Sequence, residues 1–339
     1  MNSHTPTFSL FALVVALVLS ACGKSTTTRE VVVYTSVDQV FSEPVLRKFE
    51  QQTGIRVRAV YDVEAAKTTG LAARLAAEKD RPKADLFWNN EFLQTLRLRD
   101  QGILGILDST PPAGLPDRFV ANDKSWIGLG GRARVFLVNT TKLPPESYPK
   151  SVADLADPKI PAERAGMALP LFGTTATHAA ALYASMGPGE ALGLFQKIQA
   201  VGVKILPGNS SVRDQVVSGQ LWYGLTDTDD ALGALERKAP VAVVAPDQDG
   251  TGAFVVFGTV AAIKGAPHPS EAKALADYLL SPATEQELIR SGCFQWSLRE
   301  GAPASPMFPK GLRTLDIPAE NVLKAAPLAA EELRNLFVR

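Results

Sequence analysis

Three carboxylates stand within four residues of one another at Asp227, Asp229 and Asp230. Acids so close repel unless water or a cation lies between them. Helix capping explains one of them, since an aspartate satisfies free amides at a helix start and meets the positive end of its dipole. It explains three poorly. Two further acids, Asp38 and Glu91, stand at comparable polar turns, the first after Tyr34, Thr35 and Ser36, the second after Asn90. Oxygens gathered from all these turns suit a hard cation. A second chemistry is offered by Thr174, Thr175 and Thr177, which open a helix after Gly173, and by Asn209-Ser210-Ser211, which opens another. Exposed amides and hydroxyls at a helix start suit carbonate, carboxylate or phosphate. Arg132 and Arg134 add positive charge, with one of the two expected to face solvent. For each turn taken alone, plain capping is the competing explanation. Trp88 and Trp222 stand beside the acidic positions and would form an aromatic wall for an organic cation, unless they are core.

Other chemistries lack their residues. The chain has three histidines, His4, His178 and His268, so a His-rich zinc or copper site is excluded. It carries no GxSxG elbow, no HExxH and no phosphate loop of the GxxxxGK[ST] type, the patterns that mark hydrolytic and nucleotide chemistry. A hydrolase built on His178 as base stays a remote alternative, because no orienting acid is placed beside it by the sequence. The expectation is a binding protein, not an enzyme.

The elements that must position these turns alternate. Residues 31–34 form a short β-branched run, read as a buried strand. A helix follows from Ser42-Glu43-Pro44, with Phe41, Val45 and Phe49 on one face and Gly54 as its stop. Residues 55–61 alternate as a strand of period two. Further strands are expected at 85–88, 134–138, 167–171, 203–206, 221–225, 241–245 and 254–263. Helices are expected at 66–79, 91–100, 175–186, 190–200, 211–218 and 229–237, with two more meeting at Pro282 within 269–291. Such alternation predicts an α/β protein with mixed sheets flanked by helices. In these folds ligands sit at the carboxyl ends of strands, where all the polar turns lie.

The bulk properties agree with a local site. The chain has 339 residues, 46% of them hydrophobic, enough for about two domains. Lys+Arg and Asp+Glu are both 35, so no basic field invites nucleic acid. Residues 8–19 are an apolar run suited to a signal peptide, ending in Leu19-Ser20-Ala21-Cys22. That ending resembles the bacterial lipobox, which implies cleavage before Cys22 and lipid on its thiol. Residues 23–29 then read as a polar tether. The other cysteine, Cys293, is left without a disulfide partner.

Several segments together resemble the ferric-iron class of periplasmic solute-binding proteins. They are VVVYTSVDQVFSEPVLRKFEQQTGI, ADLFWNNEFLQTL, WIGLGGRARVFLVNT, PLFGTTATH and IKGAPHPSEAKALADYLLSP. The resemblance implies a two-lobed type II binding protein, each lobe a mixed sheet flanked by helices. The expected organisation is a signal peptide at 1–21, a lipid-anchored linker at 22–29, lobe 1 at 30–125 plus 253–300, lobe 2 at 126–252, and C-terminal helices at 301–339 packed on the lobes. It implies an ABC permease and ATPase as partners, a monomer on the periplasmic side of a membrane, and no cofactor beyond Fe3+ bound with a synergistic anion. In iron-binding relatives the ligands come from three places. Carried onto this chain, these are Asp38, then Asn90 or Glu91, then an adjacent tyrosine pair whose positions hold Asp229 and Asp230. Tyr223 is near enough in sequence to supply one phenolate. The expected metal set is therefore Asp38, Glu91, Tyr223, Asp229 and Asp230, with the anion at Thr174 to Thr177. The same features fit a small organic zwitterion or a phosphate- or phosphonate-bearing solute.

Overall fold

The computed structural model describes residues 1, 29–62, 69–157, 160–303, 305 and 311–338. Cys22 and the signal segment lie outside the described residues.

β1 (Glu30–Thr35) pairs in parallel with β2 (Arg56–Tyr61) and with β3 (Leu86–Asn89). The helix between β1 and β2, α1 (Gln39–Thr53), buries Ser42, Val45, Leu46 and Phe49, a three-to-four spacing that puts one stripe on the sheet. Gly54 ends it with φ 70° and donates its N–H to the Glu50 carbonyl. The helix starts earlier than Ser42, because the Asp38 carbonyl accepts from Phe41 and Ser42 at 2.9 and 3.0 Å. Pro44 therefore lies inside the helix. After α2 (Thr69–Ala77), β3 and α3 (Leu93–Asp100), the chain enters β4 (Trp126–Asn139), a 14-residue strand buried throughout.

β4 joins the halves of the molecule. Its first half runs antiparallel to β9 (Val255–Ala262), which also borders β3. Its second half runs antiparallel to β7 (Tyr223–Asp227) and β8 (Val241–Val244). β7 then pairs in parallel with β5 (Ala165–Ala168), and β5 with β6 (Lys204–Leu206). Two α/β lobes result, joined where β4 and β9 cross. The register of that pair shifts between Leu129 and Gly131. Gly130 sits there at φ 57°, and a Cβ on it would lie 2.2 Å from the Phe294 ring. Only glycine satisfies both the left-handed backbone and the ring. The sequence pattern shows only the second half of β4, because Gly128, Gly130 and Gly131 interrupt the β-branched run that signals a strand.

In the second lobe α4 (Gly173–Met186), α5 (Pro188–Val201), α6 (Asn209–Val217) and α7 (Thr228–Glu236) follow their strands. α8 (Pro269–Leu279) and α9 (Pro282–Arg290) return to the first lobe, where Leu275, Leu279 and Leu288 join Val31, Val33 and Phe49 in one apolar cluster. A 19-residue helix, α10 (Ala319–Phe337), closes the chain. It packs Val322, Ala326, Ala329 and Leu333 into the cluster that also holds Ala179, Ala180 and Ile198. Its start touches the first lobe through Arg99 and Glu320, 2.6 Å apart. Among the described residues no helix is long and apolar enough to cross a membrane.

Candidate functional site

The turn at the end of β7 is where charge concentrates. β7 runs two residues past Leu225, so Asp227 belongs to the strand and Thr228 begins α7. Asp227 is 3% exposed. It accepts from Arg134 Nη1 at 2.6 Å, from Thr174 Oγ1 at 2.6 Å and from Asn209 Nδ2 at 3.0 Å, and lies 3.6 Å from Arg132 Nη1. Burial pushes its carboxyl up, but Arg134 and Arg132, with the Thr174 hydroxyl, outweigh this and hold it below the ordinary aspartate range. Both arginines come from β4, two residues apart, and so share a face of the strand; both are buried, and the expectation that one of them faces solvent fails for that reason. Arg132 also donates to Asp229 Oδ2 at 2.7 Å through Nη1 and to the Asn90 carbonyl at 2.9 Å through Nη2. Asp230 accepts from Arg213 Nη1 at 2.9 Å and from Thr226 Oγ1 at 3.2 Å.

These groups face a cavity of about 70 Å³ between the lobes, well below the roughly 300–1,000 Å³ of ordinary small-molecule pockets. Lobe 1 contributes Asp38 and Asn90; lobe 2 contributes Thr174, Thr175, Asn209, Arg213, Asp229 and Asp230; Arg132 and Asp227 lie between. The starts of α4 and α6 also open onto it through Gly173 and Gly208. Around the cavity four carboxylates meet Arg132 and Arg213 on its wall and Arg134 behind Asp227. Helix starts at α4, α6 and α7 add about half a positive charge each, which brings the site close to neutrality. The Nε of Arg132, and the Nε and Nη2 of Arg134, are buried without a hydrogen-bond acceptor among the described residues.

Other expected site residues do different work. Tyr34 points out of the cleft: its hydroxyl donates to Glu78 at 2.8 Å and Arg74 lies over its ring at 4.7 Å. Burial, reinforced by Glu78, pushes its phenol up to about 12. Thr35 accepts from the Val37 amide at 3.1 Å. Ser36 is buried and ties β1 to the next turn, donating to Asn90 Oδ1 at 3.1 Å and to Asn89 while accepting from the Asn90 amide at 3.0 Å. None of the three lines the cavity.

The five-residue metal set is not assembled. Tyr223 faces away, donating to the Asp154 carbonyl at 3.0 Å from within the core of the second lobe. Position along β7 decides this: Tyr223 opens the strand and packs against Phe136, four residues before Asp227 at the carboxyl end where the cavity lies. Glu91 is buried and accepts from four donors: the Leu93 and Gln94 amides at 2.6 and 2.9 Å, Asn89 Nδ2 at 3.1 Å and Thr177 Oγ1 at 2.8 Å. Asp229 and Asp230 are held by arginines, and Asp38 lines the cavity from the lobe 1 side. Among the described residues no group of three or more His, Cys, Asp or Glu could hold a metal ion. Trp88 and Trp222 are core, the first fully buried in lobe 1 and the second packed on the central cluster. His178 stacks on Phe254 with centroids 5.4 Å apart, and burial, aided by Arg134, pushes it down to about 3. It is a neutral core residue, with no hydrogen bond to a carboxylate among the described residues.

Sequence reasoning misses Arg213 and undervalues Arg134 and Asn209. Arg213 reads as a solvated helix residue; only its position one turn after Asn209, at a helix start already suspected of binding an anion, signals more.

The comparisons with known proteins agree with this architecture. Residues 45–312 match the family model described as "Bacterial extracellular solute-binding protein". The major ferric iron-binding protein of Neisseria meningitidis serogroup B is 25% identical over 279 residues, covering 76% of this chain and 78% of the relative. The ferric binding protein from Campylobacter jejuni superposes with a TM-score of 0.82 at 21% identity, over 91% of this chain and all of that one. The periplasmic binding protein AfuA from Actinobacillus pleuropneumoniae, solved with fructose-6-phosphate bound, gives 0.80 at 21% identity, over 91% and 98%. With a match across most of its length, two lobes joined by crossing strands and a polar cavity between them, the chain belongs to the bacterial extracellular solute-binding proteins.

Proposed function

We propose that this solute-binding protein captures a small organic solute carrying a phosphate, phosphonate or carboxylate, for delivery to an ABC permease and its ATPase. The observation that carries the reading is the wall of the interlobe cavity. Arg132, Arg213 and the starts of α4 and α6 face it with fixed positive charge and helix-start amides. Asp38, Asp229 and Asp230 stand around the same cavity and accept from hydroxyl or ammonium groups on the solute's other end. A near-neutral site of alternating charge fits a zwitterion or a polyhydroxy oxyanion better than a bare cation. AfuA shows that this fold accommodates a phosphate ester.

A second reading, ferric iron, is favoured by the names of the Neisseria relative and of a Serratia marcescens Fe(3+)-binding periplasmic protein. Iron would then enter with an oxyanion at Thr174 and Asn209. Asp229 and Asp230 would supply oxygens beside Asp38 only after Arg132 and Arg213 let go of them. Lipid attachment at Cys22, periplasmic exposure of the mature chain and a monomeric state complete the proposal; they rest on the LSAC segment and on the family.

The test is thermal unfolding with inorganic phosphate, 2-aminoethylphosphonate, ferric citrate, citrate alone and calcium, because a ligand of the folded state raises the melting temperature by mass action. The expected result is stabilisation by a phosphonate or phosphate, lost in Arg213→Met and kept in Tyr223→Phe. Stabilisation by ferric citrate but by no iron-free oxyanion would replace this reading with the iron one.

A further inference from the structure

The cleft is bridged from side to side by the protein's own groups. Glu91 lies just before α3 in the first lobe, and Thr177 one turn into α4 in the second. The Thr177 hydroxyl donates to Glu91 Oε2 at 2.8 Å, both residues being buried. A residue away, the Asn90 carbonyl accepts from Arg132 at 2.9 Å. Three of the four donors to Glu91 belong to its own lobe, the Leu93 and Gln94 amides and Asn89. They fix the carboxylate whether the lobes are together or apart. The fourth, Thr177, is the part that separation removes.

Thr177 has a second acceptor ready. Its hydroxyl lies 3.3 Å from the Gly173 carbonyl, one turn back in its own helix. Threonine in a helix turns readily to that carbonyl. The hydroxyl is thus satisfied with the lobes parted, through Gly173, and with the lobes together, through Glu91, where the acceptor is charged and the bond stronger. The turn of α4 just before Thr177 carries Gly173, Thr174 and Thr175 into the cavity. A cargo seated there acts on the segment that carries the hydroxyl.

We infer that Thr177 and Glu91 form a latch that holds the lobes together before cargo arrives, and that these positioning residues set cargo affinity without touching cargo. The effect on affinity rests on the interlobe cavity being the cargo site, as proposed above; the effect on shape does not. Glu91 thereby takes a structural task at a position where the family resemblance implied a metal ligand. A protein already shut loses less of its binding energy to closure, since only the fraction of molecules in the competent state binds.

Small-angle scattering of the cargo-free full mature chain decides the latch. Wild type is expected compact. Thr177→Val, which keeps the shape of the side chain and deletes the donor, is expected to show a larger radius of gyration, and Thr177→Ser to match wild type. Calorimetry with 2-aminoethylphosphonate is expected to show Thr177→Val weaker by roughly ten-fold or more, the scale of one hydrogen bond to a charged group, with Thr177→Ser restored. Equal radii for wild type and Thr177→Val overturn the latch, whether both are compact or both extended. If wild type binds neither the phosphonate nor inorganic phosphate, the proposed cargo class fails while scattering still decides the latch.

Discussion

Replacing Asp227 with asparagine removes the charge on which the crossing strand depends. Among the described residues the carboxylate is the one acid bonded to Arg134, at 2.6 Å, and it lies 3.6 Å from Arg132. Arg134 is fully buried, and two of its nitrogens already lack acceptors among the described residues. Asparagine keeps one acceptor but turns an amide donor toward Arg134, Thr174 or Asn209, all of which now donate to the carboxylate. Leaving a buried guanidinium without its counter-ion costs about 3–5 kcal/mol. At about 2–4 °C per kcal/mol for a unit of lobe size, the melting temperature at pH 7 should fall by roughly 6–20 °C. Thermal unfolding followed by circular dichroism and by tryptophan fluorescence measures it. The sign with pH is fixed. The folded carboxyl titrates below its ordinary 3.8, so its stabilisation is complete above that pH and is lost as pH falls further. The difference between Asp227→Asn and wild type should therefore narrow below about pH 4. Adding Arg134→Met should recover part of the loss, because an apolar side chain leaves no stranded charge. Asp227→Asn melting within 2 °C of wild type would refute the view that this carboxylate neutralises the buried arginines.

His178, held near 3 in the folded chain against 6.5 unfolded, makes stability fall as pH drops from about 6.5 toward 3, because only the unfolded chain takes the proton. His178→Gln should flatten the urea-unfolding free energy across that window; an unchanged slope would place the titrating group elsewhere. Cys22→Ala should move the protein from the membrane to the soluble fraction of the cells, and a variant that still sediments with membrane would end the lipid-anchor reading.

Much of the architecture was legible because it depends on local patterns. The βα alternation, the Gly54 stop and the break at Pro282 are written in residues next to one another, and the structure places elements close to them. The polar turns were legible for a related reason: in α/β sheets the strand ends collect in space, so Asp38, Asn90, Thr174, Asp229 and Asp230 share one cavity. Side-chain direction was not legible. Tyr223, the first residue of β7, packs in the core, while Asp227, four residues on along the same face of the strand, meets Arg134 across the pair with β4 at the end that reaches the cavity. Glu91 looked like a ligand because its neighbours in sequence gave no hint that amides at a helix start and a hydroxyl from the other lobe would take up its carboxylate.

By itself, then, the sequence determined an α/β protein with its polar groups at strand ends, since periodicity and turn chemistry act over a few residues, while two lobes and a binding role came from its resemblance to a family. Tertiary structure alone decided which charges neutralise one another. Arg132 with Asp229, Arg134 with Asp227 and Arg213 with Asp230 join groups 97, 93 and 17 residues apart. The first two pairings are set by the crossing of β4 between the lobes and the third by the packing of α6 beside α7, and burial makes them strong enough to govern what the cleft can hold.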